Sequence, residues 1–445
     1  MDSDKAVKPR ELLSVPDGIF LTVGMVIGVG IFKLPSLVAG NTASPTAFLL
    51  AWLLGGVVSL CGALVYAELA ARHPETGGEY VFLQRGLGRP AAFLFAWSRM
   101  TVIQTGAIAA VAFAFGDYAS EILRLGEKSS AVWAAVSVVA FTLLNFAGTL
   151  QSKTLQKVME AVLISALVLL ALAAFTAGGT PKAAAPAEGA HLSFGLAMIF
   201  VLFTYGGWNE AAYLAGEVRD ARRNMVRILV WGIVFVSALY LLVNAGYLAA
   251  LGLGGIRDSK AVAADAIRLI AGEKGAVLVA LIVCVSALTT LNAAIFTGAR
   301  SNWALGKDYA MFRSLGNWRE SGSTPANALL LQGVITLVLI AAGSTTPDGF
   351  GAMVAYTAPV FWTFFLLTGV TLFVFRRRGG ETPAFRTPLF PLVPLAFLAM
   401  CAYMLWSSID YIRNPDYGPK FGDMVLAGLA VMAVGIPLYF LARRK

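Results

Sequence analysis

The sequence predicts an all-α integral membrane protein, and three observations carry that prediction. Of the 445 residues, 58% are hydrophobic and 13% are charged, against about 45–50% apolar and about 25% charged in soluble domains. The mean hydropathy is +0.74. The apolar residues gather in runs long enough to cross a bilayer, which takes roughly 20 residues. This composition excludes a soluble enzyme, a disordered chain and a nucleic-acid-binding protein.

Twelve apolar runs lie between charged or Gly/Pro-rich breaks, and each is predicted to be one transmembrane helix. They are numbered spans 1 to 12, at residues 16–41, 45–71, 91–124, 130–149, 155–177, 193–216, 227–253, 275–304, 326–343, 349–375, 388–411 and 421–442. The first run is too long to be the core of a signal peptide. The N-terminus is therefore expected to stay in the cytoplasm, and the lipid bilayer is expected to surround the spans.

The distribution of basic residues predicts the orientation of these spans. An even number of spans places both termini on one side. Of the 34 Lys and Arg residues, 23 lie on that side and 9 on the other, with Lys33 and Arg99 inside spans. Positive residues collect on the cytoplasmic side. We therefore expect a multi-pass protein of the cell membrane (the inner membrane in a Gram-negative source), with a cytoplasmic N-terminal segment at 1–15 and a cytoplasmic tail at 443–445.

Histidine and cysteine usage indicates neither a metal site nor a cofactor. His73 and His191 lie far apart, in loops predicted on opposite sides, and Cys61, Cys284 and Cys401 each lie inside an apolar run. No ligand cluster or disulfide framework follows from this spacing. An integral membrane enzyme would need a converging nucleophile, base or metal set, so the sequence favours a protein that is not an enzyme.

Two spans are interrupted by glycines at mid-membrane depth. Span 1 contains Gly24-Met25-Val26-Ile27-Gly28-Val29-Gly30-Ile31-Phe32, and span 6 contains Phe203-Thr204-Tyr205-Gly206-Gly207-Trp208-Asn209. Glycine lowers helix stability by about 1 kcal/mol against alanine, and irregular backbone at that depth is tolerated only where it lines a cavity. Close packing of small residues is the simpler explanation of one such helix. Breaks in the first span of each half instead predict an inverted-repeat transporter with its site between the repeats.

A broken helix offers backbone groups to a ligand. The outer half of span 1 begins near Val29, so the N–H groups of Val29 and Gly30 lack intrahelical partners and favour an anion such as a carboxylate. Gly28 and Gly30 permit close approach because neither has a Cβ. Carbonyl groups freed at the two breaks suit an ammonium group; they belong to Val26, Ile27, Phe203 and Gly206. A carboxylate beside an ammonium is the backbone of an amino acid.

These segments resemble the amino acid–polyamine–organocation superfamily, and within it the bacterial relatives of the L-type amino acid transporters. The run from Gly24 to Phe32 is similar to that family's span 1 break, and the run from Phe203 to Asn209 to its span 6 signature. Further similarity covers nearly the whole chain: Tyr66–Leu69, Gly77–Tyr80, Glu217 to Asn224, Ser286, Asn292 and Arg300. The resemblance implies a LeuT-type 5+5 inverted repeat with broken helices 1 and 6, repeats at 16–177 and 193–375, and two more helices at 388–442.

Site residues follow from the resemblance by motif. It places the substrate carboxylate on the amides of Val29 and Gly30, the ammonium on carbonyls of Val26, Phe203 and Gly206, an aromatic lid at Phe203 and a polar contact at Asn209. Thr204 and Tyr205 complete the substrate-binding set with Ile27 and Gly28. The small residues of span 3 are expected to wall the side-chain pocket, unless they serve ordinary helix packing; they are Ile103, Gly106, Ala107 and Ala110.

Two departures from the family pattern carry expectations of their own. Val29 replaces a usual hydroxyl, so the carboxylate relies on backbone amides. Animal members pair with a single-pass glycoprotein through a cysteine after span 3. Residues 117–130 contain no cysteine, so no disulfide-linked partner subunit is expected.

Energy coupling is predicted from charged and hydroxyl groups near the breaks. Lys33 and Glu210 each lie one turn from a break and are candidates for coupling or gating, together with Ser286 and Thr289. Glu68 and Arg99 are predicted near the cytoplasmic face, where a structural ion pair or snorkelling to the interface is a simpler interpretation than function. Some family members carry a lysine halfway along span 5, and Leu163 stands at that position here.

The predicted function is therefore sodium-independent secondary transport of amino acids, chiefly neutral L-amino acids, by alternating access. Exchange is favoured over symport. Two alternatives within transport are a proton-coupled amino acid symporter and a carrier of cationic amino acids or polyamines. An alternative from another class is a non-transporting membrane sensor or scaffold, although the sequence offers it no large soluble domain.

Overall fold

The computed structural model describes residues 13–74, 77–147, 153–176, 193–319, 324–379, 382–413 and 421–442. Within these ranges the chain forms helices and no strand longer than an isolated bridge. Its α-helices are α1 Val15–Val26, α2 Gly30–Gly40, α3 Pro45–Arg72, α4 Glu79–Gly86, α5 Arg89–Ser98, α6 Gln104–Ile122, α7 Ser129–Ala147, α8 Lys153–Thr176, α9 Phe194–Thr204, α10 Ala221–Asp258, α11 Val262–Asp308, α12 Ala326–Gly343, α13 Gly349–Arg378, α14 Leu392–Arg413 and α15 Phe421–Leu441.

The sequence explains where the first helices begin. Ser14 and Asp17 form a capping box at the start of α1, in which each side chain accepts a hydrogen bond from the other residue's backbone N–H. Ser44 caps α3 by accepting from the N–H of Ala47 at 3.1 Å. Both helices carry a proline in their first turn, where no intrahelical N–H bond is lost.

Helix length and composition confirm a membrane protein with many spans. Nine of the described helices are long and apolar enough to cross a bilayer, and α1 with α2 forms a tenth candidate bent by 50°. Two shorter apolar helices, Ala161–Thr176 and Phe194–Thr204, lie in predicted spans 5 and 6. Predicted spans 1–4 and 9–12 agree with helix bounds to within about four residues. The segments 1–12 and 443–445 lie outside the described residues.

Three helical segments were missed in the sequence scan. α10 continues past a kink at Gly252 (φ 68°), and α11 starts at Val262 and bends at Gly272 (φ 64°). The third is α4, between predicted spans 2 and 3. All three carry charged or glycine-rich sequence, so a search for long apolar runs passes over them. The two glycines adopt a positive φ that other residues disfavour.

The core lies between the central helices, and large apolar side chains cover the outside. In α6, with the π-helical turn Arg99–Ile103 that joins it to α5, most of the apolar window is buried. By contrast Leu169 in α8, Val338 in α12 and Phe440 in α15 are each more than 60% exposed. Single exposed apolar residues are ordinary, but a continuous apolar exterior fits lipid.

Candidate functional site

The break in the first span lies where the sequence predicts it. α1 ends at Val26, Ile27 adopts an extended conformation, and α2 begins at Gly30. Among the described residues, no acceptor takes a hydrogen bond from the N–H of Gly28, Val29 or Gly30. These amides stand at the positive end of α2. They can donate to an anion without breaking any bond of the fold.

The break in the sixth span lies directly against the first. α9 ends at Thr204, and the chain turns through Tyr205–Gly207 and continues as a 3₁₀ helix, Trp208–Glu217. Gly207 has φ 108°, and a Cβ there would overlap the carbonyl oxygen of Met25. A Cβ on Gly30 would lie 3.1 Å from Cγ2 of Thr204. The glycines therefore bring the two irregular backbones into contact at one place.

Tyr240 joins the two breaks and was missed in the sequence analysis. Its hydroxyl lies 2.9 Å from the carbonyl oxygen of Val26 and 3.1 Å from that of Thr204, placed to donate to either. The Phe203 carbonyl accepts from the N–H of Gly206 at 3.0 Å. A carbonyl oxygen has two lone pairs. The Phe203 oxygen also accepts from the N–H of Tyr205, so of these two carbonyls it is Val26, with the Tyr240 hydroxyl as its described donor, that keeps a lone pair for an ammonium group. A single tyrosine inside an apolar run gave no signal of this role.

The two aromatic residues at the break of the sixth span, Phe203 and Tyr205, contact different neighbours. The Phe203 ring packs edge-on against Phe350, with centroids 6.0 Å apart. Phe350 lies at the start of α13. The Tyr205 side chain is fully buried, and its hydroxyl donates to the carbonyl of Trp52 in α3 at 3.1 Å. Phe203 is thus half-buried beside the break, as a lid requires, whereas the ring of Tyr205 lies in the packing between helices.

A buried carboxylate holds the part of the sixth span that follows its break. Asn209 donates from Nδ2 to Oε1 of Glu79 at 2.7 Å, and the Tyr66 hydroxyl donates to the same oxygen at 3.2 Å. Asn209 and Glu79 are both buried. Glu79 begins α4, so this short helix is fastened to the broken span. The sequence motif contained Glu79, but nothing in its spacing showed the contact with Asn209.

Glu210, next along the chain, is paired with Arg99. One guanidinium nitrogen of Arg99 lies 3.0 and 3.1 Å from the two carboxylate oxygens of Glu210. The pair joins the 3₁₀ helix to the π-helical turn Arg99–Ile103. A π-helical turn inside a span often accompanies a functional site. Arg99 lies in an ion pair, as predicted, and its partner is Glu210.

Small residues of the third span are divided between packing and the site. A Cβ on Gly106 would overlap Cγ2 of Thr357 in α13, so this glycine permits close helix contact. Ala110 is fully buried. Ile103 and Ala107 are half-buried and remain predicted walls of the side-chain pocket.

Lys33, in α2 beyond the break of the first span, is paired with an aspartate. Its ammonium lies 2.9 Å from Asp117 in α6 and donates to the carbonyl of Lys260 at 3.4 Å. Asp348 also acts on Lys33 electrostatically. Burial raises the pKa of the Asp348 carboxyl, against the opposing charge of Lys33. The cluster joins α2 to α6, to the segment between α10 and α11, and to the start of α13, and a gating role for Lys33 stays a prediction.

The remaining coupling candidates offer few free polar groups. Thr289 donates its hydroxyl to the carbonyl of Val285 at 2.9 Å. The hydroxyl of Ser286 is buried, and in the described part of the chain it has no hydrogen-bond partner. Leu163 is buried, and Ser165 near it is exposed on the outside of α8. No group of three His, Cys, Asp or Glu side chains suited to a metal ion occurs within the ranges that the structure describes.

Comparison with known proteins shows which family this chain matches. The profile of the family described as amino acid permease matches residues 13–434. The b(0,+)-type amino acid transporter 1 of Mus musculus is 29% identical over 421 residues, 91% of this chain and 84% of that protein. The serine/threonine exchanger SteT of Bacillus subtilis (strain 168) is 26% identical over 435 residues, 96% of this chain and 95% of that protein. The human large neutral amino acids transporter small subunit 2 is 27% identical over 445 aligned residues, which cover 95% of this chain and 78% of that protein.

These matches extend over nearly all of the chain and include both broken spans. They confirm the superfamily that the span 1 and span 6 motifs indicated, and the relatives are named as transporters or exchangers of amino acids. The chain belongs to the amino acid permease family of membrane transporters.

Proposed function

We propose that this protein exchanges amino acids across the cell membrane by alternating access, without sodium and with a preference for neutral L-amino acids. The observation that carries the proposal is the set of amides at Gly28, Val29 and Gly30 that donate to no described acceptor, placed against the carbonyls of the sixth-span break. Relatives named as amino acid transporters and as a serine/threonine exchanger support it.

The proposed architecture has twelve spans in a LeuT-type 5+5 inverted repeat. Residues 16–177 form the first repeat, 193–375 the second, and 388–442 the two further helices, with both termini in the cytoplasm. The two breaks, at Ile27–Val29 and Tyr205–Gly207, support this arrangement because each falls in the first span of its proposed repeat.

Substrate contacts are proposed from the same residues. The amides of Val29 and Gly30 take the carboxylate, and carbonyls of Val26, Phe203 and Gly206 take the ammonium. Glu210 is paired with Arg99, so its carboxylate is not free to attract a cationic side chain. This favours neutral substrates over the alternative of arginine or a polyamine.

No covalently attached partner subunit is part of the proposal. Cys284 and Cys401 are buried, and Cys61 is half-buried inside α3. Residues 117–130 contain no cysteine.

Blocking either end of the amino acid backbone is expected to weaken recognition by at least about tenfold. An ester removes the charge that the amides of α2 stabilise, and N-acetylation removes the ammonium from the carbonyls. Each charged hydrogen bond contributes about 1.5–3 kcal/mol, so loss of one end lowers affinity by about tenfold or more. The measurement is competition for uptake into proteoliposomes by substrate methyl esters and N-acetyl derivatives. Competition by either derivative equal to that of the free amino acid would contradict the site.

Transport is expected to depend on counter-substrate and not on an ion gradient. Leu163 neither carries a proton nor replaces a cation by charge, and Thr289 donates its hydroxyl to its own helix. We expect uptake to be several times faster into proteoliposomes preloaded with unlabelled substrate than into empty ones, with or without sodium. Concentrative uptake into empty vesicles under an inward proton gradient, lost in Glu210→Gln, would instead establish proton symport with Glu210 as carrier.

A further inference from the structure

A cavity rich in arginine lies away from the broken spans, on the side of the protein proposed to face the cytoplasm. Its volume is about 340 Å³. The walls come from the ends of α3 and α13, the start of α10, and α4. Four arginines and one histidine line it: Arg72, Arg85, Arg222, Arg378 and His73. Within the described ranges, no aspartate or glutamate belongs to its lining.

The arginines are held in different ways, and two of them have no carboxylate partner among the described residues. Arg72 is neutralised by Glu68 at 2.8 Å. Arg378 donates to the carbonyls of Arg85 and Gly86 at 2.8 and 3.1 Å. These neutral acceptors fix its guanidinium without cancelling its charge. Arg222 is exposed, and no carboxylate in the described part of the chain pairs with it or with Arg378.

The shape and chemistry of the cavity suit a phosphate group. Guanidinium groups bind phosphate through paired N–H donors, and arginine is the residue most suited to that geometry. His73 packs against Phe375 with ring centroids 4.8 Å apart, which gives the cavity an aromatic wall. The volume lies at the lower end of the range for small-molecule sites. Orientation in the membrane requires positive loops but not the convergence of arginines from four helices on one cavity.

We propose that this cavity is a regulatory site for a phosphate group presented from the cytoplasm, by a soluble phosphate compound or a lipid headgroup. Binding of the phosphate is expected to slow transport. This expectation rests on the proposed function, in which the cytoplasmic ends of the helices separate during alternating access. A phosphate that bridges the ends of α3, α10 and α13 binds the conformation in which they are close. A ligand that prefers one conformation shifts the equilibrium toward it.

Binding is tested on the purified full-length protein in neutral detergent, with inorganic pyrophosphate as probe and sodium chloride at matched ionic strength as reference. We expect pyrophosphate to raise the melting temperature in a saturable way. Arg222→Gln and Arg378→Gln should each weaken apparent affinity by about tenfold, because each removes a charged donor. The matched control is Arg223→Gln, which removes the same charge one residue away, where Arg223 faces Asp220 at 3.8 Å.

The source of the phosphate is tested in vesicles of neutral phosphatidylcholine, with and without phosphatidylglycerol. Slower amino acid exchange with pyrophosphate assigns the site to soluble compounds. Slower exchange with phosphatidylglycerol alone, absent in Arg222→Gln, assigns it to a lipid headgroup. The proposal is overturned if pyrophosphate changes the melting temperature no more than sodium chloride does and phosphatidylglycerol has no effect on exchange. It is also overturned if Arg223→Gln and Arg222→Gln weaken the apparent affinity for pyrophosphate equally. Because melting requires no transport, binding by a protein that moves no amino acid would leave the site standing and remove the proposed function.

Discussion

Replacing Gly30 by leucine is expected to lower amino acid uptake by at least about 100-fold. The Cβ of residue 30 would lie 3.1 Å from Cγ2 and 3.3 Å from Cα of Thr204, so a longer side chain must enter the space between the two breaks. In the proposed site, a carboxylate reaches the amides of Val29 and Gly30 from that space. Two charged hydrogen bonds contribute about 3–6 kcal/mol together, and about 3 kcal/mol corresponds to roughly 100-fold in affinity.

A matched control lies at the other end of the same helix. A Cβ on Gly40 would meet no atom within 4 Å, so Gly40→Leu adds an identical side chain to α2 without filling the break. Radiolabelled uptake and gel filtration of both purified variants separate loss of the site from loss of the fold. We expect both variants to be monodisperse and only Gly40→Leu to transport. Normal uptake by Gly30→Leu would show that the break serves helix packing.

Substitutions of Gly28 test the same amides at a position with more space around it. The nearest atoms to a Cβ at this position are those of the Thr290 side chain, at 3.9 Å. Alanine therefore fits without displacing a neighbour, and Gly28→Leu should block the amides with less strain on the helices than Gly30→Leu. Loss of uptake in both leucine variants would assign the defect to the amides that the two positions share.

The helices could be predicted from the sequence because the bilayer imposes one simple requirement, a long apolar run. Both breaks could be located because glycines at mid-membrane depth are conspicuous in such runs. The run-based scan could not detect α4 or the segment from Val262 to Gly272, since neither is long and apolar.

The sequence was least informative about which side chains pair with each other inside the site. Glu79 and Asn209 are 130 positions apart along the chain, and Arg99 and Glu210 are 111 apart. Helical periodicity fixes neighbours three and four residues apart but says nothing about contacts at such separations. Tyr240 shows the same limit. Its position within an apolar run resembles that of any core aromatic residue, and only the packing of α10 against both breaks gives its hydroxyl a role.

Glu68→Gln is expected to destabilise the protein by about 3–5 kcal/mol, the usual cost of removing one partner from a buried ion pair. The Glu68 carboxylate is fully buried in α3. It accepts hydrogen bonds from Arg72 at 2.8 Å, from Arg376 of α13 at 2.6 Å and from the N–H of Thr387 at 2.8 Å. Glutamine keeps the shape but leaves two guanidinium groups beside a neutral amide.

The measurement is reversible unfolding in mixed micelles, compared with Asp220→Asn. Asp220 and Arg223 form an exposed pair at 3.8 Å, of a kind that contributes about 0–1 kcal/mol, so this control should unfold like the original protein. Adding Arg376→Gln to Glu68→Gln should recover part of the loss, because it removes one of the uncompensated charges. Equal unfolding free energies for Glu68→Gln and Asp220→Asn would mean that the carboxylate does not hold α3, α13 and the segment around Thr387 together.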